Sequence, residues 1–262
     1  GGIFLAHIIT LTNQKGGVGK TTSTATLISG LTANQHKVLG IDLDPQGNLG
    51  FSLGIEIENC QTIYEVFKGQ SSVHSVIQHT EFGDIIPSNI LLSSAELEFN
   101  RSGREFMLKN IIDSLKNQYD YIVIDTPPAL NILTVNAYVT SNSLIIPMIP
   151  DILSLLGISQ LKETIDTVKK FYNPKLKVLG VLLTKYNGRT NLAKEVEEMA
   201  QQIANQLDTI VFSSKIRNGV VVAEAPAHGE SLLKYAPKSN PCLDYMEFIS
   251  EIIRLTNPAD SF

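Results

Sequence analysis

Positive charge is scarce in this sequence. The chain has 21 Lys and Arg residues against 26 Asp and Glu residues, which gives a formal net charge of −5. A protein that coats nucleic acid over its whole surface needs the opposite balance, because lysines and arginines make the phosphate contacts. The composition therefore excludes a generally basic nucleic-acid coat. Any contact with DNA has to come from a local patch, and it should weaken as salt is added.

Cysteines and long apolar runs are also few. Cys60 and Cys242 are the only cysteines, and neither has a histidine at metal-ligand spacing, so we expect two reduced intracellular thiols. No run reaches the ~18 apolar residues that a membrane span needs. The apolar start of the chain, residues 1–17, is interrupted by His7 and leads into a glycine-rich loop. We interpret it as a buried first strand rather than a signal peptide, and expect a cytoplasmic protein.

Strand-like and helix-like stretches alternate along the chain. Hydrophobic residues make up 43% of the 262 residues, enough for a sizeable core. Apolar runs typical of a parallel sheet buried on both faces lie at 7–12, 37–44, 120–130, 142–150 and 177–186. Helices are predicted at 21–35, 104–117, 129–139, 154–171, 191–207 and 240–255, and the interpretation is weakest over 45–105. The pattern predicts an α/β fold in one domain, residues 1–262, with a doubly wound, mostly parallel sheet and helices on both faces.

One helix has a clear apolar stripe. In the helix predicted at 191–207, the stripe is expected to face the core and not a partner. It consists of Leu192, Val196, Met199, Ala200, Ile203 and Leu207.

A glycine-rich loop follows the first predicted strand. Its sequence is NQKGGVGKTTS, residues 13–23, and Gly19-Lys20-Thr21 gives it the G-K-[ST] ending of a Walker A phosphate-binding loop. Strand, glycine-rich turn and helix N-terminus together form an anion site, since backbone N–H groups and the helix dipole both favour phosphate. Lys20 is expected to reach the β- and γ-phosphates of ATP, and the Thr21 hydroxyl to bind Mg²⁺. The candidate nucleotide-binding residues here are Gly16, Gly17, Val18, Gly19, Lys20, Thr21 and Thr22.

The loop departs from the ordinary pattern at two positions. Gln14 stands where a glycine is expected, six residues before Lys20, and Lys15 adds a second cation. The segment KGGVGKTT, residues 15–22, resembles the deviant Walker A motif of the ParA/MinD/Soj family of dimerising ATPases. The resemblance implies that Lys15 reaches across a dimer interface to the nucleotide of the other subunit. There it would neutralise charge between two facing ATP molecules, so that dimerisation depends on ATP.

Two carboxylate-bearing segments extend the resemblance. DLDPQGN, residues 42–48, resembles switch I of the ParA/Soj branch, which implies that Asp44 polarises the attacking water and that Asp42 lies next to the Mg²⁺ ligands. VIDTPP, residues 123–128, resembles Walker B, which implies that Asp125 holds a Mg²⁺-bound water where switch II begins. The candidate catalytic residues are therefore Lys15, Lys20 and Asp44, and the candidate metal residues are Thr21, Asp42 and Asp125.

Further segments match Soj-type sequences. They are LTVNA (133–137), LLGISQL (155–161), LLTKYNGRT (182–190) and AEAPAHG (223–229). The resemblance places the last two near the adenine pocket and a DNA-facing edge. Arg217 and Asn218 are assigned to nucleotide binding, and Arg189, Lys215 and Arg217 to a DNA patch. The string KIRNGVVVAEAP departs from the family pattern, because Arg217-Asn218 comes one residue early, Val221 replaces an arginine, and Glu230 stands where a lysine is usual.

The resemblance implies a partitioning ATPase and leaves alternatives. In the leading hypothesis, ATP closes a homodimer that holds non-specific DNA at the nucleoid, and a ParB-like partner stimulates an otherwise slow hydrolysis. The loop begins near residue 13, which leaves no room for an N-terminal helix-turn-helix, so operator-specific DNA binding is not expected. A ParA-like positioner of a protein cargo would use the same ATPase core and stays open.

Two other members of the wider family fit less well. A MinD-like switch needs a basic amphipathic C-terminal helix, whereas EFISEIIRLTNPADSF, residues 247–262, holds two glutamates, one aspartate and one arginine. We therefore expect no membrane partner. A reductase of the nitrogenase iron-protein kind needs cysteines that bridge a cluster, and Cys60 and Cys242 lie outside the switch segments.

Overall fold

The computed structural model describes residues 5–149, 154–188 and 193–257. The strands are β1 (His7–Leu11), β2 (Val38–Asp42), β3 (Gln78–Thr80), β4 (Gly83–Ile86), β5 (Tyr121–Asp125), β6 (Ser143–Met148) and β7 (Lys177–Leu183). The helices are α1 (Lys20–Ala33), α2 (Asn48–Ser52), α3 (Ile63–Phe67), α4 (Ala95–Glu98), α5 (Met107–Ile112), α6 (Ile132–Thr140), α7 (Ser154–Phe171), α8 (Ala193–Gln206), α9 (Val221–Ala227), α10 (Leu232–Tyr235) and α11 (Asn240–Thr256).

Within the described residues, the strands form one sheet in the order β3-β4-β2-β5-β1-β6-β7. All neighbours pair in parallel except β3, which runs antiparallel to β4. The first strand lies inside the sheet, between β5 and β6, so the chain winds outwards in both directions from it. Ligands of such sheets bind at the carboxyl ends of the strands, near this point of reversal.

Each face of the sheet has its own core, which confirms the predicted doubly wound arrangement. Neighbouring residues of one strand belong to different cores: Ile8 packs with residues of α5–α8, and Ile9 packs with residues of α1 and α11. The stripe predicted on α8 also faces the core. Ala200, Ile203 and Leu207 are buried, Val196 and Met199 pack against them, and Leu192 lies outside the described residues.

Helix α1 is buried over most of its length although it is rich in serine and threonine. It can be buried because no charged residue lies between Lys20 and Lys37 and because most of its buried hydroxyls are hydrogen-bonded, with Thr32 Oγ1 as an exception. Ser23 Oγ and the hydroxyl of Tyr245 lie 2.8 Å apart, and Thr26 Oγ1 donates to the Thr22 carbonyl at 2.8 Å. Buried hydroxyls that are hydrogen-bonded cost little, so α1 can run through the core directly behind the loop.

The structure adds elements to residues 45–105, where none was predicted. These are β3, β4, α2, α3 and α4, each of five residues or fewer. Periodicity cannot be recognised in such short segments. A further correction concerns 104–117, because only Met107–Ile112 is α-helical. After Ile112 the chain tightens into i→i+3 turns, with Leu115 N–H donating to Ile112 O at 2.8 Å.

The other predicted elements are present, α7 with the predicted bounds and the others with one or both ends shifted. Helix α6 begins at Ile132 rather than at 129, because Asn131 caps it: its Oδ1 accepts the N–H groups of Leu133 and Thr134 at 3.1 and 3.3 Å. Both cysteines are free thiols, as expected. Among the described helices, none has the length and apolar character needed to cross a membrane.

Candidate nucleotide site

The loop between β1 and α1 has a backbone that only glycine adopts easily. Gly17 and Gly19 have φ angles of 73° and 83°, and Gly19 is the N-cap of α1. Side chains with a Cβ rarely take this left-handed conformation. A Cβ added to Gly16 or Gly17 would meet no atom within 4 Å. The loop therefore leaves its backbone open to the space above it, as a phosphate cradle requires.

A cleft of about 650 Å³ opens in front of this loop. One wall is the loop with the start of α1, a second is the turn after β2, and a third is the segment that leads into α9. The lining includes Gly16, Gly17, Gly19, Lys20, Thr21, Thr22, Asp44, Gln46, Asn48, Pro128, Arg217, Asn218, Val222 and Tyr245. This size suits a nucleotide. Most candidate nucleotide-binding residues are thus brought together, while Lys15 and Val18 lie outside the lining.

Asp42 and Asp125 are neighbours behind the loop. They are register partners at the carboxyl ends of β2 and β5, and both are fully buried. Burial raises the pKa of Asp125 to about 6, although bonds from Thr21 and Thr24 and the charge of Lys20 oppose the rise. Burial and the nearby Asp125 raise the pKa of Asp42 as well. Two carboxyl groups buried on neighbouring strands favour the binding of a cation that offsets their charge.

The hydroxyl of Thr21 connects the loop to this pair. Thr21 Oγ1 donates to Asp125 Oδ2 at 2.6 Å, and Thr24 Oγ1 donates to Asp125 Oδ1 at 3.0 Å. Since Thr21 gives its hydrogen to Asp125, the lone pairs of its oxygen remain for a cation. The side-chain atoms that could bind a metal here are all oxygens, which Mg²⁺ prefers. Mg²⁺ usually takes its other ligands from phosphate and water. Accordingly, the described residues contain no ready-made cluster of three or more His, Cys, Asp or Glu ligands.

Lys20 is a buried ammonium at the centre of the site. Its side chain is buried, and burial lowers its pKa, while the charges of Asp125 and Asp44 act in the opposite sense. Its Nζ donates to the carbonyl oxygen of Lys15 at 3.1 Å. Because the Lys20 ammonium is held in a poorly solvated position that faces the cleft, it can strongly stabilise the negative charge of a bound phosphate.

Asp44 is held in a tight turn at the rim of the cleft. Its N–H donates to Asp42 Oδ1 at 2.9 Å, and its own Oδ1 accepts the N–H of Gln46 at 3.0 Å. Gly47, with a φ of 67°, closes the turn by donating to the Asp44 carbonyl at 3.0 Å. The second carboxylate oxygen of Asp44 can therefore accept a hydrogen bond from a water in the cleft.

The two described candidates for DNA contact are paired with carboxylates. The guanidinium of Arg217 donates to Asp244 through Nε at 2.9 Å and through Nη2 at 2.6 Å. Lys215 forms an ion pair with Glu197 and lies 5.1 Å from the centre of the Tyr186 ring. Both basic residues border one surface depression beside the nucleotide cleft. Arg189 lies outside the described residues.

Two threonines of the site were not predicted. Thr24 binds Asp125, and it stands one helical turn after Lys20, a spacing that could have indicated a shared face. Thr184 Oγ1 donates to the Val18 carbonyl in the loop at 2.7 Å, although the two residues are 166 positions apart. The signals for Thr184 were its position near the end of a predicted strand and its place in LLTKYNGRT, a segment that the resemblance puts near the adenine pocket and a DNA-facing edge.

Comparisons with known proteins agree with this geometry. Residues 6–178 match the family AAA_31, described as an AAA domain. The chain is 37% identical over 258 residues to chromosome partitioning protein ParA of Myxococcus xanthus, covering 97% of this chain and 90% of that protein. It is 39% identical over 254 residues to the sporulation initiation inhibitor protein Soj of Bacillus subtilis, covering 95% and 98%.

A solved structure extends the likeness to the ligands. Cobyrinic acid a,c-diamide synthase from Mycobacterium smegmatis, with bound ATP analog and magnesium, superposes with a TM-score of 0.85 at 31% identity over 97% of each chain. ATP and Mg²⁺ are thus the ligands that suit the cleft. With relatives of this identity along almost its whole length, the chain belongs to the ParA/Soj branch of the deviant Walker A ATPases.

Proposed function

We propose that this ATPase partitions chromosomal or plasmid DNA as a single P-loop domain. In the proposal, ATP closes a homodimer, the dimer holds non-specific DNA, and a ParB-like partner stimulates hydrolysis and release. The observation that carries it is the contrast between the two loop lysines. Lys20 is buried and faces its own cleft, whereas Lys15 is half-buried and lies outside the lining of that cleft. A second cation placed beside the phosphates, but not in their pocket, suits the nucleotide of a facing subunit.

Within one subunit, the residues divide the work of hydrolysis. Lys20 binds the phosphates, and Asp44 orients a water toward the terminal phosphate. Thr21 and Asp125, with Asp42 behind them, would hold Mg²⁺, which when bound neutralises phosphate charge. The fixed turn around Asp44 supports its role, because a water-positioning group acts best when it is held before the reaction.

Basal turnover is expected to be slow for a reason that lies in the loop. Phosphoryl transfer needs cationic groups near the developing charge and a well-placed water. If Lys15 acts on the facing subunit, an isolated subunit lacks one of these cations. Hydrolysis then requires the dimer, and a partner or DNA that favours the dimer should accelerate it.

DNA binding is proposed to need both subunits. The net charge is −5, and Lys215 and Arg217 are each engaged by a carboxylate. One such patch offers little to a polyanion, because affinity grows with the number of phosphates neutralised. Lys185, Lys215 and Arg217 border the same depression, so a dimer would present two copies of this patch along one duplex. We expect this DNA-bound form to be nucleoid-associated in the cytoplasm.

The charge of α11 gives no support to a membrane-bound switch. The helix carries Asp244, Glu247 and Glu251 against Arg254. Anionic lipid surfaces attract the opposite balance. The open alternative is therefore a positioner of a protein cargo with the same ATPase core.

Gel shifts on two unrelated duplexes, in ATP, ADP and no nucleotide, test this function. We expect equal binding to both duplexes in ATP alone, weakened by salt and reversed sooner when a ParB-like partner is added. Arg189→Ala should weaken binding to both duplexes alike and flatten the salt dependence, with ATP turnover in the absence of DNA unchanged. Equal binding in ATP and ADP would remove the proposed switch, and no binding in either would favour the protein-cargo positioner.

A further inference from the structure

Gln14 ties the beginning of the phosphate loop to α7. Its side chain is half-buried, and its Nε2 donates to the carbonyl oxygen of Gly157 at 2.7 Å. This is the position where the ordinary Walker A pattern has a glycine, which could make no such bond. The substitution in the motif therefore adds a contact between the loop and a helix 143 positions away.

Gly157 is complementary to that side chain. A Cβ at position 157 would lie 2.6 Å from Gln14 Nε2, and 3.5 and 3.6 Å from Cδ and Cγ. These atoms are the flexible end of a side chain, so an alanine would displace the carboxamide without moving the backbone. Glycine is a poor residue for the interior of a helix. A glycine at position 157 of α7 is explained if the Gln14 carboxamide occupies the space that a Cβ would fill.

Asn13 makes a second tie at the same place. Its Nδ2 donates to the carbonyl oxygen of Pro147, at the end of β6, at 2.9 Å. Its Oδ1 accepts the N–H of Lys15 at 3.0 Å, and the carbonyl of Lys15 accepts from Lys20 Nζ at 3.1 Å. The main chain of Lys15 is thus held on both sides. Both residues that precede it are anchored to β6 and α7, outside the loop.

From these contacts we infer that Gln14 is a positioning residue for Lys15. Anchored on Gly157, it fixes the backbone from which the Lys15 side chain leaves the loop. A long, flexible side chain that serves the nucleotide of a second subunit loses less entropy on dimerisation when its backbone is already oriented. The inference rests on the proposed role of Lys15, and it explains why this loop gives up a glycine.

A double-mutant cycle between Gln14 and Gly157 tests the inference. Gln14→Met keeps the length of the side chain and removes the hydrogen-bond donor. Gly157→Ala keeps the donor, but its Cβ takes the space that the Gln14 carboxamide occupies. For each variant, the ADP affinity of the subunit and the dissociation constant of the ATP-bound dimer are measured. Both variants should weaken the dimer roughly twofold to tenfold, as the entropic cost of ordering one long side chain at an interface predicts, and ADP affinity should be unchanged.

The double variant and two controls make the result specific. Gln14→Met/Gly157→Ala should be no weaker than either single variant, because both remove the same contact. The unfolding temperature of each variant is the first control, because a weaker dimer at an unchanged unfolding temperature separates a positioning role from a loss of folding. Ser159→Ala, an exposed substitution in the same helix, should leave the dimer and ADP affinity at their wild-type values.

The companion variant Lys15→Gln separates the inference from the function on which it rests. If Lys15→Gln weakens the dimer while Gln14→Met and Gly157→Ala do not, the inference is wrong and the role of Lys15 stands. If Lys15→Gln has no effect on the dimer, the proposed function fails and the inference fails with it. Additive effects in the double variant, or an equal loss of ADP affinity, would also overturn the inference.

Discussion

The hydroxyl of Thr21 lies 2.6 Å from the carboxylate of Asp125 and donates its hydrogen to it. This bond joins the first residues of α1 to the end of β5, across the point where the sheet reverses its winding. It also orients the threonine oxygen so that its lone pairs are available for Mg²⁺.

Replacing Thr21 should therefore separate nucleotide binding from its dependence on Mg²⁺. In Thr21→Val the shape is kept and the oxygen is lost, so Mg²⁺ should no longer tighten ADP binding. Thr21→Ser keeps the oxygen and should behave like the wild type. Nucleotide titrations with Mg²⁺ and with a chelator measure the difference. A Thr21→Val protein in which Mg²⁺ still tightens binding would show that the cation is held by other residues.

Asp44→Ala should hold the protein in its ATP-bound state. The carboxylate is proposed to orient a water, so nucleotide affinity should survive while turnover falls by ~10²-fold or more. Lys20→Ala should instead abolish productive binding, because it removes the buried cation of the cleft. Parallel measurements of ATP affinity and single-turnover hydrolysis compare the two variants. Wild-type hydrolysis in Asp44→Ala would move the water-positioning role to another residue, such as one in switch II.

His7 should make stability depend on pH at the far end of the sheet. Its Nε2 lies 2.9 Å from Ser143 Oγ, and burial lowers its pKa from 6.5 to about 4. Between these values the unfolded chain binds a proton that the folded chain does not. The stability that comes from the neutral His7 is therefore fully present above pH 6.5 and is lost as the pH drops toward 4. In His7→Gln the unfolding temperature should fall less between pH 7 and pH 5 than in the wild type, and an identical fall would show that other groups cause it.

Local motifs predicted the centre of the site, because its residues are close in sequence or end long buried strands. Gly19, Lys20 and Thr21 are consecutive, and Asp42 and Asp125 each end an apolar run that the sheet pairs directly. Parallel strands place such ends at one edge. The chemistry of the loop and the neighbourhood of the carboxylates could thus be predicted without a structure.

Contacts between distant segments could not be predicted in the same way. Asp244 pairs with Arg217 across 27 positions, and Thr184 donates to Val18 across 166. Each partner belongs to a separate element, and no periodicity or motif relates the two. The ion pairs of Lys215 and Arg217 change the expectation for DNA, because a basic residue engaged by a carboxylate must exchange that partner to contact a phosphate.

The mass of the protein in solution, measured by light scattering with ATP and with ADP, tests the central claim most directly. Asp44→Ala, in which hydrolysis is expected to fall by ~10²-fold or more, serves as the background, and Lys15→Gln is added to it. The account predicts a dimer with ATP and a monomer with ADP for Asp44→Ala, and a monomer with both nucleotides for Asp44→Ala/Lys15→Gln. A dimer that forms equally with either nucleotide, or one that persists in ATP without Lys15, would contradict it.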